Sequence, residues 1–382
     1  MIKRRKILVD CIPFDGGKSG ISVYIRQVLR ELAAAGQEVT VLVESGTEEF
    51  FSGYSYLSAP GWTRRPVFSM LWHLLILPFY LRKTQFDFFL LTAANRRALS
   101  FYPLPTLAVV HDLSQYHIPG KYSRLRMLYL KRILPHFVRK AQQLVAVSHS
   151  TAHDLHEFWK IPAHRIQVCY NGVSVLPQGK GDWCERYQLE AKKYILYVSR
   201  IEHPGKNHWN LIKAFALLPE ELRAGYKLVL AGSDWQDAAR IKSMASQSVA
   251  AEQIVFTGFV CPEDLREAYT QAKLYVFPSL FEGFGLSLLE AMACGTPCAC
   301  SNNSSLGEIG RGAALLFPPG YPEQIAAAIR KILEDASLQA ELSEAGYRKI
   351  RDYDWEKHAK ALLQLADTLL SEKTSSCGCC KS

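Results

Sequence analysis

The sequence of 382 residues lacks several features that would identify common classes of protein. Its longest apolar stretch, residues 66–81, is interrupted by His73 and Pro78 and is shorter than the roughly 20 apolar residues that span a bilayer. It contains neither a G-x-G-x-x-G dinucleotide fingerprint nor a complete Walker A pattern. Its 48% apolar and 21% charged residues exclude a chain that is disordered throughout, so two or three folded domains are expected.

Acidic residues are scarce in the first half of the chain. The net charge is +9, and residues 1–175 contain 22 Lys and Arg against 11 Asp and Glu. Such an excess indicates a polyanionic partner, either nucleic acid or an anionic membrane surface. The basic residues are not interleaved with a recognisable nucleic-acid-binding module. We therefore expect no nucleic-acid partner and rank a nucleic-acid-binding protein as the lowest alternative.

Two segments of this half combine basic and apolar residues. One surrounds residues 66–81, and the other is the helix-like stretch 121–140, which Pro135 is predicted to kink or interrupt. The basic residues concerned are Arg64, Arg65, Arg82, Lys83, Arg96, Arg97, Lys121, Arg124, Lys131, Arg132, Arg139 and Lys140. Each cluster alone is typical of a solvated face over a buried stripe. Together they predict peripheral contact with an anionic membrane.

A secretory signal is also missing from the first residues. Four basic residues within residues 1–6 run directly into a strand-like segment, without a long apolar region. We therefore expect a cytoplasmic protein, peripheral on the inner face of the membrane, with reduced thiols. Its ten cysteines include two clusters: Cys294, Cys298 and Cys300, and Cys377, Cys379 and Cys380. The first cluster has no histidine nearby, so we interpret its thiols as small buried side chains rather than metal ligands.

Strand-like apolar runs alternate with amphipathic stretches through most of the chain. The runs are residues 6–10, 38–43, 86–91, 106–110, 143–147, 166–170, 194–198, 227–231, 253–256 and 274–277. This alternation predicts mostly parallel sheets with helices on both faces. Residues 171–193 have weak periodicity, and the strand series restarts after them. The pattern predicts an α/β protein with two doubly wound domains joined by this linker.

Two glycine-containing turns stand between a strand and a helix. In residues 15–20, Gly17 and Gly20 allow backbone N–H groups to approach an anion at a helix N-terminus, although a simple strand-to-helix turn fits equally well. In residues 282–290, two carboxylates flank Gly283 and Gly285. The turn suits a diphosphate and the carboxylates suit sugar hydroxyls. The alternative is a capped helix with Glu290 facing solvent.

Charged and polar residues also follow two other strands. Arg200 and Lys206 are separated by a Pro-Gly loop, and both could hold one diphosphate; the alternative is two solvated cations. Their position favours binding, because ligands of open α/β sheets bind at the carboxyl ends of strands. His111 closes another strand, where it could contact a substrate hydroxyl. The alternative is a structural histidine paired with Asp112.

Together these motifs resemble family 4 glycosyltransferases of the GT-B fold, over nearly the whole chain from Lys6 to about Leu370. Residues 148–151, 170–173 and 257–260 and the helix of Trp355 support the resemblance, whereas residues 301–311 depart from the family's small acidic stretch. The resemblance implies two Rossmann-like domains facing an interdomain cleft. The acceptor-side domain would be residues 1–175 with a returning helix at 354–371, and the donor domain would be residues 176–353. Residues 372–382 are predicted to form a disordered, cysteine-rich tail.

The resemblance implies a retaining glycosyltransferase, a hexosyltransferase of surface polysaccharide or lipopolysaccharide biosynthesis. Its donor would be a nucleotide-diphosphate sugar, GDP-mannose or a UDP-sugar, and its acceptor a glycan or a lipid-linked glycan. The alternative is a soluble GT-B transferase for a small or glucan acceptor. No cofactor and no metal are expected, because cations and a helix terminus would neutralise the leaving diphosphate.

The resemblance also assigns roles to individual residues. Arg200 and Lys206 would hold the diphosphate, Glu282 the donor sugar and Glu290 the ribose, while His111 would contact the transferring centre. The implied catalytic residues are His111, Glu282, Arg200 and Lys206. The implied donor-binding residues are Gly17, Gly20, Arg200, Lys206, Val260, Glu282, Gly283, Phe284, Gly285, Leu286 and Glu290.

Overall fold

The structure, a computed structural model, describes residues 3–378, with side chains up to residue 372. These residues form two compact units. The first contains the chain up to Tyr116, Tyr122–Gly172 and the chain from Asp354 onwards. The second contains His117–Lys121 and Val173–Tyr353.

The first unit is built on a parallel sheet of seven strands in the order β3-β2-β1-β4-β5-β6-β7. Its strands are β1 (Lys6–Asp10), β2 (Glu38–Val43), β3 (Ser55–Ser58), β4 (Phe88–Leu91), β5 (Thr106–Val110), β6 (Gln143–Ala146) and β7 (Ile166–Val168). Its helices up to the linker are α1 (Gly20–Ala34), α2 (Pro66–Leu75), α3 (Leu77–Leu81), α4 (Arg124–Leu128), α5 (Leu134–Val138) and α6 (His149–Trp159). The inner strands are apolar and buried, because helices cover both faces of the sheet.

The second unit repeats this design with six parallel strands in the order β10-β9-β8-β11-β12-β13. Its strands are β8 (Tyr194–Val198), β9 (Lys227–Ala231), β10 (Ile254–Gly258), β11 (Leu274–Phe277), β12 (Cys298–Ser301) and β13 (Leu315–Phe317). Its helices are α7 (Trp183–Arg186), α8 (His208–Ala216), α9 (Glu220–Arg223), α10 (Ala238–Ser246), α11 (Pro262–Gln271), α12 (Leu286–Ala293), α13 (Ser304–Gly310), α14 (Pro322–Glu334) and α15 (Ala336–Lys349). The prediction of two doubly wound domains is confirmed.

The last helix, α16 (Trp355–Gly378), belongs to the first unit and packs against α1. Its buried side chains include Trp355, and a Cβ on Gly172 would lie 2.3 Å from the Trp355 backbone nitrogen, so only glycine fits there. The helix continues through residues 372–378, which were predicted to be disordered. Extending an existing helix costs far less than nucleating one. Residues 379–382, with Cys379 and Cys380, lie outside the described residues.

The interruption predicted at Pro135 is found. The chain between Arg124 and Val138 forms α4, a π-helical turn at Tyr129–Ile133, and then α5. Pro135 lies in the first turn of α5, where its missing N–H costs least. The wide π turn allows the helical path to continue past the proline.

Candidate active site

The carboxyl edge of the second sheet has a topological switch point between β8 and β11. From these neighbouring strands the chain leaves in opposite directions along the sheet, so the loops after them border a crevice in which ligands of such sheets bind. The loop after β8 carries Arg200 and Lys206, and the loop after β11 carries Glu282. The structure therefore brings three predicted site residues to one crevice of the second unit.

Lys206 and Glu282 form an ion pair across this crevice. The Lys206 Nζ lies 2.7 Å from the Glu282 Oε1, and about a fifth of each side chain is exposed. The hydroxyl of Tyr197, a buried residue of β8, donates to the backbone oxygen of Lys206 at 2.9 Å. The lysine is thus fixed at its backbone and keeps its ammonium beside a carboxylate at the open edge of the crevice.

Arg200 remains more accessible than Lys206. Its guanidinium lies 3.2 Å from the Glu202 carboxylate and stacks over the Trp235 ring at 4.9 Å, while 42% of the side chain is exposed. Lys206 therefore does not fit the alternative of a solvated loop cation, whereas the exposed Arg200 still fits it and its role stays a prediction. A planar guanidinium and a point-like ammonium on one loop can together bind a diphosphate.

The loop between these cations is held by His208 and Asn207. Burial lowers the pKa of His208 to about 3, so its ring is neutral, and Nδ1 donates to the Glu202 carbonyl at 3.3 Å. The Asn207 amide donates to the carbonyls of Pro278 and Pro319 at 2.8 Å each. It thereby ties the β8 loop to the ends of β11 and β13. No motif in the sequence predicts a role for Asn207, although this residue directly follows Lys206.

Two serines of α13 anchor the glycine turn. Ser304 Oγ accepts from the Glu282 N–H at 3.2 Å, and Ser305 Oγ donates to the Glu282 and Phe284 carbonyls at 2.9 and 2.5 Å. Gly285 has φ +122°, and a Cβ there would lie 2.8 Å from Leu306 Cδ2. The segment that departs from the family pattern therefore holds the turn in shape.

The helix after this turn, α12, begins at Leu286 and carries Glu290. The Tyr269 hydroxyl donates to Glu290 Oε2 at 3.1 Å. Burial raises the pKa of Glu290 to about 7, and the Tyr269 hydrogen bond opposes this shift. Glu290 is therefore not the solvent-facing residue of the alternative interpretation. It is a partly buried carboxyl that further hydrogen-bond donors, such as ribose hydroxyls, would favour in its ionised form.

Val260 and Phe284 have buried side chains, 8% and 5% exposed. Val260 follows β10, which lies two strands from β8 at the same edge of the sheet. Neighbouring strands are about 4.8 Å apart, so the carboxyl ends of β10 and β8 are roughly 10 Å apart. One nucleotide can bridge this spacing. Their predicted contacts with the donor stay predictions.

His111 follows β5 in the first unit and is 8% exposed. Its Nε2 lies 2.7 Å from the Thr92 carbonyl oxygen. Asp112 instead accepts from the N–H and hydroxyl of Ser114, so it is not the partner that fixes the imidazole. Burial lowers the pKa of His111 to about 4, and the Thr92 hydrogen bond opposes this shift. A neutral ring that donates from Nε2 has Nδ1 as its acceptor atom.

The glycine loop before α1 is capped by an acid. Asp15 Oδ1 accepts from the N–H groups of Lys18 and Ser19 at 2.9 and 3.1 Å. Gly17 has φ +91°, and Gly20 is the first residue of α1. Gly17 thus has the positive φ that glycine allows. The carboxylate of Asp15 binds backbone N–H groups just before α1, and Ser19 is the N-cap of this helix. The predicted contact of this loop with the donor stays a prediction.

Potential metal ligands are not grouped. Among the residues whose side chains are described, no three His, Cys, Asp or Glu are arranged to hold an ion. The chain contains one D-x-D triplet, Asp352 to Asp354, and Asp354 Oδ1 accepts from two N–H groups at the start of α16. This carboxylate caps a helix. The expectation that the reaction needs no metal stays a prediction.

The helices α2 and α3 have an unusual apolar outer surface. Ser69, Trp72 and His73 of α2 are buried, yet large apolar side chains also lie on the solvent side. The exposed set, here called the α2–α3 apolar surface, is Trp62, Val67, Phe68, Leu71, Leu75, Ile76, Phe79 and Tyr80. No helix in the described part of the chain is long and apolar enough to cross a bilayer.

Comparisons with known proteins agree with this geometry. Residues 18–175 match the family model "Glycosyltransferase Family 4", and residues 183–349 match "Glycosyl transferases group 1". The O-antigen chain mannosyltransferase B of Escherichia coli is 32% identical over 252 residues, which are 64% of this chain and 66% of that protein. The matched region is thus slightly less than two thirds of the relative's length.

Solved structures show the same fold. The sucrose-phosphate synthase of Thermosynechococcus elongatus superposes with a TM-score of 0.76 at 21% identity, covering 97% of this chain and 100% of that one. Anabaena HepE in complex with UDP-glucose superposes with a TM-score of 0.71 at 19% identity, covering 96% and 100%.

Proposed function

The chain belongs to the family 4 glycosyltransferases of the GT-B fold, and on this premise we propose that it transfers a hexosyl group from a nucleotide-diphosphate sugar to a glycan acceptor in surface polysaccharide biosynthesis. One observation carries the proposal. Arg200 and the Lys206–Glu282 pair border the crevice between β8 and β11, beside the glycine turn that precedes α12. This arrangement offers cations to a diphosphate and a carboxylate to sugar hydroxyls.

The donor we propose is GDP-mannose or a UDP-sugar. The Escherichia coli relative is an O-antigen mannosyltransferase, and HepE was solved with UDP-glucose. Glu290 would accept hydrogen bonds from the ribose, and Val260 would meet the base through its backbone. The acceptor we propose is a glycan carried on a lipid.

The chemistry we propose is retention of the anomeric configuration. As the sugar–phosphate bond breaks, Arg200 and Lys206 neutralise the charge that develops on the leaving diphosphate, and the N–H groups at the start of α12 add to this stabilisation. The acceptor oxygen bonds to the anomeric carbon on the face that the diphosphate leaves, and the departing phosphate takes the proton of the acceptor hydroxyl. His111 is neutral, so it serves as a hydrogen-bond acceptor for a sugar hydroxyl rather than as a proton donor.

A transfer assay tests this function. The purified protein is incubated without added metal with GDP-mannose, UDP-glucose or UDP-galactose and with octyl α-mannoside as a simple acceptor. We expect one nucleotide sugar to be consumed and a product longer by one hexose, whose one-bond C1–H1 coupling constant indicates the same anomeric configuration as in the donor. An inverted product contradicts retention. No consumption of any nucleotide sugar, by transfer or by hydrolysis, contradicts the transferase.

We further propose that the α2–α3 apolar surface rests on an anionic membrane from the cytoplasmic side. Soluble proteins bury such side chains, and Val67, Leu71 and Phe79 are 63%, 45% and 56% exposed. Arg64, Arg65, Arg82 and Lys83 flank the surface and are exposed, which supports attraction to anionic headgroups. Each half-exposed apolar side chain contributes about 1 kcal/mol when it leaves water.

Vesicle flotation tests this contact. We expect binding to phosphatidylglycerol vesicles that exceeds binding to phosphatidylcholine vesicles and weakens with salt. The triple change Val67→Ser, Leu71→Ser and Phe79→Ser should abolish it. The control changes Val175→Ser and Val249→Ser, at residues of the second unit that are 92% and 77% exposed, should leave it intact. If the wild type binds neither vesicle, the alternative of a soluble transferase for a small or glucan acceptor is favoured.

A further inference from the structure

His111 is held on several sides within the first unit. Its Nε2 donates to the Thr92 carbonyl at 2.7 Å, and its own carbonyl accepts from Thr151 Oγ1 at 3.3 Å. The ring itself meets Tyr24 of α1 edge to face, with 4.8 Å between the ring centroids and 82° between the ring planes. Tyr24 is fully buried, so this contact is part of the interior and not of a mobile surface.

The hydroxyl of Tyr24 reaches a second histidine, His358 of α16. The Tyr24 oxygen lies 3.0 Å from His358 Nε2, and His358 Nδ1 lies 3.0 Å from the Tyr170 carbonyl oxygen. A carbonyl only accepts, so Nδ1 must carry the hydrogen. Burial lowers the pKa of His358 to about 4, which leaves the ring neutral with Nε2 as an acceptor. The Tyr24 O–H therefore donates to His358.

These two hydrogen bonds and the ring contact form one continuous chain of contacts. It runs from the Tyr170 carbonyl to His358, from His358 to the Tyr24 hydroxyl, and then through the Tyr24 ring to the ring of His111. Phenylalanine and leucine would fill the same buried space without polar atoms that need partners. The buried hydrogen bond between the Tyr24 hydroxyl and His358 fixes the orientation of the Tyr24 ring, because it opposes rotation about the side-chain bonds of Tyr24.

We propose that Tyr24 and His358 are positioning residues that hold the ring of His111 in one orientation, in which the Thr92 carbonyl selects the tautomer with Nδ1 as the atom that accepts from substrate. This inference rests on the proposed function of His111 in glycosyl transfer. It gives α16 a role beyond packing, because a residue from the end of the chain orients a group that follows β5. Neither Tyr24 nor His358 touches a reacting atom in this proposal.

Four variants test the inference. Tyr24→Phe keeps the ring and removes the hydroxyl. His358→Asn keeps a donor near the position of Nδ1 and loses the acceptor for Tyr24, whereas His358→Gln keeps an acceptor near the position of Nε2. Tyr102→Phe is the matched control, because Tyr102 also has a hydrogen-bonded hydroxyl in the first unit, accepting from the Leu99 N–H at 3.5 Å.

We expect Tyr24→Phe and His358→Asn each to lower kcat tenfold or more, because small displacements of a catalytic group are costly. KM for the nucleotide sugar should stay within twofold. The double variant should lose no more than the worse single variant, since both remove the same hydrogen bond. His358→Gln should recover a large part of the activity, and Tyr102→Phe should match the wild type.

A second readout does not depend on activity. In protein labelled with 15N-histidine, the wild-type His111 ring should give the NMR pattern of a single neutral tautomer protonated at Nε2, and Tyr24→Phe should broaden or shift it. Unchanged His111 signals in Tyr24→Phe overturn the inference, as does kcat within twofold of the Tyr102→Phe value. If the wild type transfers no sugar while the His111 signals respond as expected, the proposed function fails and the positioning contact stands.

Discussion

The first and second units share the order of their first six strands but differ in what they present at the carboxyl edge of the sheet. In the second unit this edge carries charged groups: Arg200 near Glu202, and Lys206 paired with Glu282. In the first unit, the corresponding edge carries the neutral His111 and a glycine loop that Asp15 closes just before α1. The difference teaches that one fold can serve two tasks, because loops rather than strand order determine the chemistry.

The exposed surfaces differ in the same way. The first unit has the α2–α3 apolar surface and all of the excess positive charge. The second unit has isolated exposed apolar side chains such as Trp235, which Arg200 covers. We therefore propose that the second unit binds the donor and that the first unit contacts the acceptor and the membrane, and four predictions test this division.

The largest effect is expected at Arg200. Removing a preplaced cation that stabilises the leaving diphosphate should raise the barrier by about 3–4 kcal/mol, so kcat/KM for Arg200→Ala should fall about 10²- to 10³-fold. The control is Arg330→Ala, which removes an exposed arginine of α14 paired with Glu334 at 2.9 Å. Steady-state kinetics check both, and equal losses in the two variants would contradict the donor site.

The next effect is expected at the glycine turn. Gly285→Ala must place an alanine at φ +122° with its Cβ 2.8 Å from Leu306 Cδ2, which should cost about 1–3 kcal/mol of folding free energy and weaken nucleotide binding. Gly258→Ala, at φ +73° with no atom within 4 Å, should cost only about 1 kcal/mol and spare binding. Urea unfolding measures the loss of stability in the two variants, and nucleotide titration measures their binding. Equal effects on binding would disprove the role of the turn.

A smaller, pH-dependent effect is expected at Glu290. Its pKa is raised from 4.5 to about 7, so its contribution to stability is present below pH 4.5 and is lost as the pH rises towards 7. A rise of that size is equivalent to about 3 kcal/mol, and the partial exposure of Glu290 reduces the expected effect. Glu290→Gln should therefore be more stable than the wild type by about 1–2 kcal/mol above pH 7 and equal to it near pH 4.5. Thermal unfolding of both proteins across pH 4.5–8 measures this difference in stability. A constant difference would contradict the raised pKa.

The smallest effect is expected at Asp15. If the loop of Gly17 and Gly20 approaches the donor, removing the carboxylate charge in Asp15→Asn should lower the Kd for the nucleotide sugar two- to fivefold, equivalent to about 0.3–1 kcal/mol. Asp87→Asn is the control, because Asp87 also accepts from a backbone N–H, that of Lys6, at 2.7 Å. Calorimetric titration measures the Kd of both variants. An unchanged Kd in Asp15→Asn would contradict the predicted contact between this loop and the donor.

Much of the sheet architecture could be predicted because its strands are local apolar runs. The bounds of β1, β2, β5, β8, β9 and β11 coincide with the predicted runs. Strand β3 was not predicted, because Ser55–Ser58 is an edge strand that faces solvent and has no apolar alternation. Strand β13 is only three residues long, too short to leave a pattern.

The candidate site could be predicted only where its residues share a local motif. Arg200, Lys206 and Glu282 follow strands, so their meeting follows from the parallel sheet. Other residues act through hydrogen bonds to distant segments, namely the serines of α13, Tyr269 and Asn207. No local sequence pattern predicts such partners. The same reason explains why Thr92, rather than the adjacent Asp112, fixes the imidazole of His111.

The measurement that tests the central claim most directly is the melting temperature of the protein with GDP, UDP, ADP and their sugar conjugates, without added metal. A ligand that binds only the folded state at 100 times its Kd adds about 2.7 kcal/mol of stability. For a unit of this size, that is a rise of roughly 5–10 °C. We predict that one nucleotide series raises the melting temperature of the wild type and of Arg330→Ala but not that of Arg200→Ala. No shift with any nucleotide, or an equal shift in Arg200→Ala, would contradict donor binding in the second unit.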